Sequence, residues 1–287
     1  MHDTHTHLEM LLNKLNLIAD QRYFDDNNQG FELSMYVKNQ LGDMLINHSW
    51  VLQSTVSTDN YVFVSKLLAD FEKVKFFVGS HPEIVNADFD LSQYLLLQQK
   101  LDLSDFDDKR IVGIGEIGLD YHYTQDPLLI NKQKQLFESQ IQLAIDLDLP
   151  IMIHCREAFE DVFEILDKFP QIFGKFLVHC WTGNRSQLTQ VLDRGGKVAF
   201  GGVCTFKSAV ELQEVVKICP NNSFVLETDL PFLSPIPHRG QVCLPIMIDD
   251  IATQVATLKS LSKAQIWEYS LHNSQQLFNL TTNLTTL

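Results

Sequence analysis

Basic residues are scarce in this chain: 22 Lys and Arg stand against 36 Asp and Glu, a formal charge of −14 over 287 residues. That balance argues against gripping a polyanion through a broad basic surface, so metal ions must do much of the attracting if the substrate is nucleic acid. Long apolar runs are missing, which argues against a membrane span, and Met1-His2-Asp3-Thr4-His5-Thr6-His7 has neither the basic nor the apolar region of a signal peptide. The five cysteines, Cys155, Cys180, Cys204, Cys219 and Cys243, are odd in number and never form Cys-x-x-Cys. Neither a disulfide framework nor a Cys-type zinc site is indicated, and a reducing cytoplasm is the expected location. No linker, low-complexity tract or internal repeat interrupts the chain, and nothing in it indicates an obligate protein partner. No Gly-rich turn follows an early strand, as a doubly wound nucleotide-binding sheet would have.

What is present is alternation. Short apolar runs predict strands at Trp50–Val56, Lys75–Val78, Ile111–Gly115, Pro150–Ile153, Lys175–Val178, Lys197–Phe200 and Ser223–Leu226. A very short eighth at His2–Thr4 would complete the set. Helical spacing predicts Leu128–Leu147, Ala158–Phe169, Lys207–Ile218 and Pro245–Leu258 between or after them. Runs such as Ile151-Met152-Ile153 and Phe176-Leu177-Val178 imply strands covered on both faces, as in parallel α/β folds. The expectation is one (β/α)₈ TIM barrel across residues 1–287, with an open sheet as the alternative. Residues 9–49 read as an elaborated first connection, in which Asp25–Gly30 is a loop between two helical segments, and residues 279–287 as a polar tail that frays.

The chemistry sits where the strands end. His5 and His7 follow the first, His81 the run ending at Val78-Gly79, Glu116 the run ending at Gly115, His154 that ending at Ile153, His179 that ending at Val178, and Asp229 follows Leu226-Glu227-Thr228. In a barrel these ends converge on one face. His5-x-His7 puts two imidazoles on one side of a strand, a preformed chelate. On its own the pair is as readily a surface feature; four His in register with Glu116 and Asp229 point to metal. Imidazole suits Zn²⁺, Mn²⁺, Fe or Ni, and a carboxylate can bridge two ions, so the six residues His5, His7, Glu116, His154, His179 and Asp229 suit a centre of two divalent ions. Two metals suit hydrolysis, with Asp229 as ligand and proton acceptor from water.

Other residues keep two readings. His81 is either a substrate contact or acid–base residue, or a structural one. Arg156 and Arg239 either clamp a phosphate or balance acidic charge. Tyr121, His122 and Trp181 either stack on a base and line the mouth or simply pack. Cys155 and Cys180 follow inward-pointing histidines, so both are expected to face the helices as small buried groups. Asp102, Asp105, Asp107 and Asp108 are expected to form a solvated face.

In sequence order the motifs are Asp3-Thr4-His5-Thr6-His7-Leu8, Gly79-Ser80-His81-Pro82, Gly113-Ile114-Gly115-Glu116-Ile117-Gly118-Leu119-Asp120, His154-Cys155-Arg156 and His179-Cys180-Trp181-Thr182-Gly183. Gly202-Val203-Cys204-Thr205-Phe206-Lys207 and Glu227-Thr228-Asp229-Leu230-Pro231-Phe232 follow, with Arg239-Gly240 beyond. Together they resemble the TatD family of metal-dependent deoxyribonucleases. The resemblance runs from residue 3 to about 245, with Leu271–Phe278 similar to the family's last helix. It implies a TIM-barrel hydrolase with His5, His7, Glu116 and Asp229 around one ion and Glu116, His154 and His179 around a second, the ions being Mg²⁺, Mn²⁺ or Zn²⁺. It implies DNA as substrate, degraded from the 3′ end of single strands, with His81 and Arg239 near it. Three departures bear on substrate identity. Cys243-Leu244-Pro245 stands where the family commonly has Asn-Glu-Pro, the first strand starts almost at Met1, and the first connection is longer than usual. Two competing functions remain: an amidohydrolase-like enzyme on a small amide, ester or phosphoester, disfavoured because Glu116 occupies the place of that group's carboxylated Lys, and a metal-binding protein without turnover.

Overall fold

Eight short runs rich in β-branched and aromatic residues form strands, and each is returned to the same edge by a helical connection. In the computed structural model, which describes residues 1–18, 33–92, 94 and 108–280, the strands are β1 (His2–Thr6), β2 (Trp50–Ser54), β3 (Val74–Phe77), β4 (Ile111–Asp120), β5 (Ile151–Arg156), β6 (Phe176–Val178), β7 (Lys197–Phe200) and β8 (Phe224–Leu226). Neighbours in sequence are parallel neighbours in space throughout. The ring closes where the chain leaves β8: the Asp229 N–H donates to the His5 carbonyl at 3.1 Å and the His7 N–H to the Leu230 carbonyl at 2.9 Å. This is the barrel that the alternation predicts.

Three strands differ from expectation in ways that matter. β1 is five residues long, not a stub, and pairs with β2 at His2↔Trp50, Asp3↔Val51 and Thr6↔Gln53. β4 continues through Glu116 to Asp120, and β5 through His154 to Arg156, so these ligand candidates lie within strands rather than after them. A polar residue ends an apolar run in the sequence, but the hydrogen-bond ladder does not read side chains, and Gly118↔His154 and Asp120↔Arg156 still pair.

The helices are α1 (Leu8–Lys14), α2 (Met35–Met44), α3 (Thr58–Leu67), α4 (Pro127–Asp146), α5 (Phe159–Asp167), α6 (Arg185–Asp193), α7 (Val210–Ile218), α8 (Ile248–Lys259) and α9 (Lys263–Phe278) among the described residues. Their starts follow local chemistry: Asp126 caps α4 ahead of Pro127, and Asn184 with Gln187 and Ser262 with Gln265 form capping boxes on α6 and α9. α5 buries Phe159, Val162, Phe163, Ile165 and Leu166 against the barrel, each fully covered aliphatic or aromatic side chain contributing roughly 1.5–3 kcal/mol. No helix in the described residues is long and apolar enough to cross a membrane.

Period two divides the strand side chains. Phe176 and Val178 face the helices, while Leu52, Phe77, Met152, Leu177, Ala199 and Val225 form an apolar layer inside the barrel. Two residues further along their strands, that same inward face presents Ser54, Gly79, His154, His179, Gly201 and Glu227. The apolar layer is thus a floor, and the polar groups stand on it.

The expected loop at 25–30, the tail at 281–287, and Asp102, Asp105 and Asp107 lie outside the described residues. Asp108 is not part of a solvated face: it is partly buried, accepts the Tyr61 hydroxyl at 3.1 Å and holds Arg110 through Nε and Nη2.

Candidate metal centre

The Glu116 carboxylate lies between two groups of imidazoles, one on each oxygen. Its Oε2 is 3.3 Å from His5 Nε2 and 3.7 Å from His7 Nε2, which are 3.0 Å from each other. Asp229 Oδ1 joins this first group, 3.5 and 3.8 Å from the same two nitrogens. Glu116 Oε1 is 2.7 Å from His154 Nδ1 and 2.6 Å from His179 Nε2, with 3.2 Å between those nitrogens. Nitrogen and oxygen ligands about 2.1 Å from a tetrahedral ion stand roughly 3.4 Å apart; the first group has that spacing, while in the second His154 and His179 close to hydrogen-bond distance on Glu116 Oε1. His81 Nε2 also approaches Glu116 Oε1, at 3.5 Å.

The protonation states of the cluster suit such a cation. Burial drives the His5 imidazole well below its ordinary range, and lowers His7 to about 4 and His179 as well, keeping these rings in the neutral form that ligates metal. Burial also raises the Asp229 carboxyl well above normal, reinforced by the Glu116 charge, and raises Glu227, reinforced by Asp229. For Glu116, burial is outweighed by the facing imidazoles, which hold its carboxyl low. His154 likewise resists its burial: hydrogen bonds to Asp120 and Glu116 raise it to about 9. The result is a buried group of carboxyls and largely neutral imidazoles in which His154 alone is held toward its charged form, a donor set that fits divalent metal.

Supporting groups fix the rings. Ser54 Oγ lies 3.1 Å from His5 Nδ1, and Asp120 Oδ2 lies 2.9 Å from His154 Nε2, holding that ring with Nδ1 toward Glu116. The sequence reading gave Asp120 and Glu227 no role of their own. Each had a signal: Asp120 is four residues after Glu116 on one strand face, and Glu227 is two after the inward Val225. Glu227 is fully buried, accepts the Cys180 N–H and lies 3.8 Å from His179 Nδ1; its Oε2 and that Nδ1 have no hydrogen-bond partner.

The proposed substrate residues are placed less uniformly. His81 opens a short 3₁₀ turn, its Nδ1 accepting the Glu83 N–H at 3.2 Å, which leaves Nε2 to carry the proton toward Glu116. Arg156 is exposed at the end of β5, with its guanidinium 5.2 Å from the Tyr123 ring. Arg239 is exposed in the loop after β8, 4.2 Å over Phe206. Tyr121 is turned away from the ligand cluster: its hydroxyl donates to Asp161 on α5 at 2.7 Å and its ring packs on the outer core, because odd positions beyond β4 face the helices. His122 pairs with Glu157 at 2.8 Å on the surface, and Trp181 is only 2% exposed, edge-on to Phe159, so it packs rather than stacks. Cys155 does face the helical layer, but Cys180 does not. β6 ends at Val178 and Cys180 has φ of 44°, which breaks the alternation and leaves it half-buried beside Glu227. Cys243 is fully buried among apolar side chains of the first connection. Among the exposed aromatics that the sequence reading did not single out are Tyr123, under Arg156, and Phe232, whose ring is 6.2 Å from that of His7.

A family model described as TatD related DNase matches residues 2–279. The uncharacterized metal-dependent hydrolase YabD of Bacillus subtilis is 39% identical over 172 residues, covering 60% of this chain and 67% of that protein. The 3′-5′ ssDNA/RNA exonuclease TatD of Pantoea ananatis is 32% identical over 177 residues, with the same shares of each chain. Among solved structures, YjjV, a TatD homolog from Escherichia coli K12, superposes with a TM-score of 0.79 at 22% identity, covering 98% of both chains.

Proposed function

This chain belongs to the family of TatD-related DNases, and on that premise we propose that it is a divalent-metal-dependent deoxyribonuclease of the 3′–5′ exonuclease type, acting on single-stranded DNA. The observation that carries this reading is the division of Glu116: one oxygen toward His5 and His7, the other toward His154 and His179. His5, His7, Glu116 and Asp229 would hold one ion, and Glu116, His154 and His179 a second. Divalent ions bound there supply the positive charge that acidifies water and stabilises charge on attacking and leaving oxygens. Mn²⁺ and Zn²⁺ suit these imidazole-rich donors, and Mg²⁺ is the third ion that membership of the family suggests.

The chain's own residues supply the rest. Asp229, kept ionised by a bound cation, accepts the proton of the attacking water through the oxygen not turned to His5 and His7. His81, its proton fixed on Nε2 by the Glu83 N–H, offers a hydrogen bond to a phosphate oxygen, and the leaving oxygen takes its proton from water. Arg156 and Arg239 each offer a guanidinium to non-bridging phosphate oxygens. Five unpaired thiols support a reducing compartment, the cytoplasm. The test is cleavage of end-labelled single-stranded DNA by metal-stripped protein with Mg²⁺, Mn²⁺ or Zn²⁺ restored, against Asp229→Asn. Metal-dependent laddering from the 3′ end that the variant lacks is expected; no cleavage with any ion overturns the nuclease reading in favour of a small-substrate hydrolase.

A further inference from the structure

We propose that the loop following β8 is a stacking platform for the bases of single-stranded nucleic acid, built on Phe232 and extended by Leu233 and Ile236; this rests on the nuclease reading above. The three side chains are 40%, 38% and 36% exposed, while Pro231, Ser234 and Pro235 of the same loop are buried. One exposed apolar side chain is ordinary, but three lie within five residues on the loop that begins just after Asp229, and the first of them, Phe232, has its ring 6.2 Å from that of His7.

The patch is held open. Phe232 N–H donates to the Asp229 carbonyl at 3.0 Å, Ile236 N–H to Thr205 Oγ1 at 2.9 Å, and Ser234 Oγ to the Gln241 carbonyl at 2.6 Å. Gly202 allows the close approach: a Cβ there would come within 1.8 Å of the Leu233 carbonyl oxygen. Buried polar contacts therefore fix a loop that presents its apolar side chains outward, where collapse onto the core would have hidden them.

Charge selects the occupant. In a chain of net charge −14, two cations stand on aromatic rings at this mouth, Lys14 Nζ at 4.7 Å from the Phe232 centroid and Arg239 over Phe206. With Lys14 over one face of the Phe232 ring, the base stacks on the opposite face; an apolar ring in T-shaped contact with His7 and carrying a cation matches a base joined to an anionic phosphate, and stacking of this kind tolerates any base. Phe232 orients the terminal base while Lys14 and Arg239 meet the adjoining phosphates.

The experiment compares kcat/KM on a single-stranded oligonucleotide with normal 3′-terminal nucleotides and on one whose terminal nucleotides are abasic, in the metal-loaded full-length protein. The expected result is that wild type prefers the normal end, that Phe232→Ala lowers this preference about tenfold through KM, and that Phe232→Trp restores it. Fluorescence of the introduced indole should also be quenched by normal but not abasic DNA. If wild type cleaves DNA and Phe232→Ala leaves the preference intact, or lowers both substrates alike, the platform is overturned and the nuclease reading stands. If wild type cleaves neither, both fail.

Discussion

Asp3 and Thr228 lock the first strand to the end of the last: Asp3 Oδ1 accepts the Thr228 N–H at 3.0 Å and Oδ2 its hydroxyl at 2.6 Å. Asp3 stands two residues before His5 and Thr228 one before Asp229, so this pair sets the distance between ligands from opposite ends of the chain. Burial raises the Asp3 carboxyl to about 7 in spite of those bonds. Asp3→Ala would strand three buried donors, the Thr228 N–H and hydroxyl and the more distant His5 N–H, each costing up to about 1–3 kcal/mol. Urea unfolding should register a loss on the order of 2–5 kcal/mol, and elemental analysis a reduced metal content. Wild-type values for both would contradict the tie.

Glu116 is shared by both imidazole groups, so its removal should affect both positions. Glu116→Ala is expected to lose most bound metal after dialysis, as read by mass spectrometry, whereas Cys155→Ala, in the helical layer, should keep the wild-type content. Equal metal in wild type and the Glu116 variant would refute the ligand assignment.

Asp229 should act on stability with opposite signs in the two forms of the protein. Without metal, its buried charge beside Glu116 is unfavourable, and Asp229→Asn should raise Tm. With metal, the same change removes a ligand and should lower it, because an ion at a thousand times its Kd stabilises by about 4 kcal/mol. Melting with and without chelator measures both; a shift of one sign in both forms would count against a cation at Asp229.

Much of the barrel was legible because its strands are apolar on both faces, and most of the ligands were legible because they follow those runs. What was hidden has particular causes. β4 and β5 outlast their apolar stretches, since backbone pairing at Gly118↔His154 does not depend on hydrophobicity. Cys180 left the expected face through a left-handed φ that no residue type announces. Glu227 was passed over beside Asp229, though the inward parity of Val225 points to it. Tyr121 and Trp181 looked like mouth aromatics, and only tertiary packing shows one bonded to Asp161 and the other buried against Phe159. Phe232 drew no notice because exposure cannot be read from a single aromatic in a loop.

Acid should destabilise the metal-stripped protein partly through His2. Its ring packs against Trp50 and Trp267, with Nε2 2.8 Å from Ser270 Oγ, and burial, aided by the N-terminal charge, lowers it to about 3. The folded ring refuses a proton that the unfolded chain accepts below about pH 6.5, so its contribution is complete above that value and declines as pH falls toward 3. Between pH 7.5 and 5 the decline amounts to about 2 kcal/mol, at roughly 1.4 kcal/mol per unit below 6.5. His2→Gln keeps a partner for Ser270 but cannot titrate. It should therefore be less stable than wild type at pH 7.5, from lost ring packing, with the gap narrowing by about 2 kcal/mol at pH 5. His7, lowered to about 4, titrates in the same window in both proteins, so its effect cancels in the difference. Urea midpoints at the two pH values give the result, and a gap independent of pH would mean that His2 takes up its proton in the folded protein as readily as in the unfolded chain.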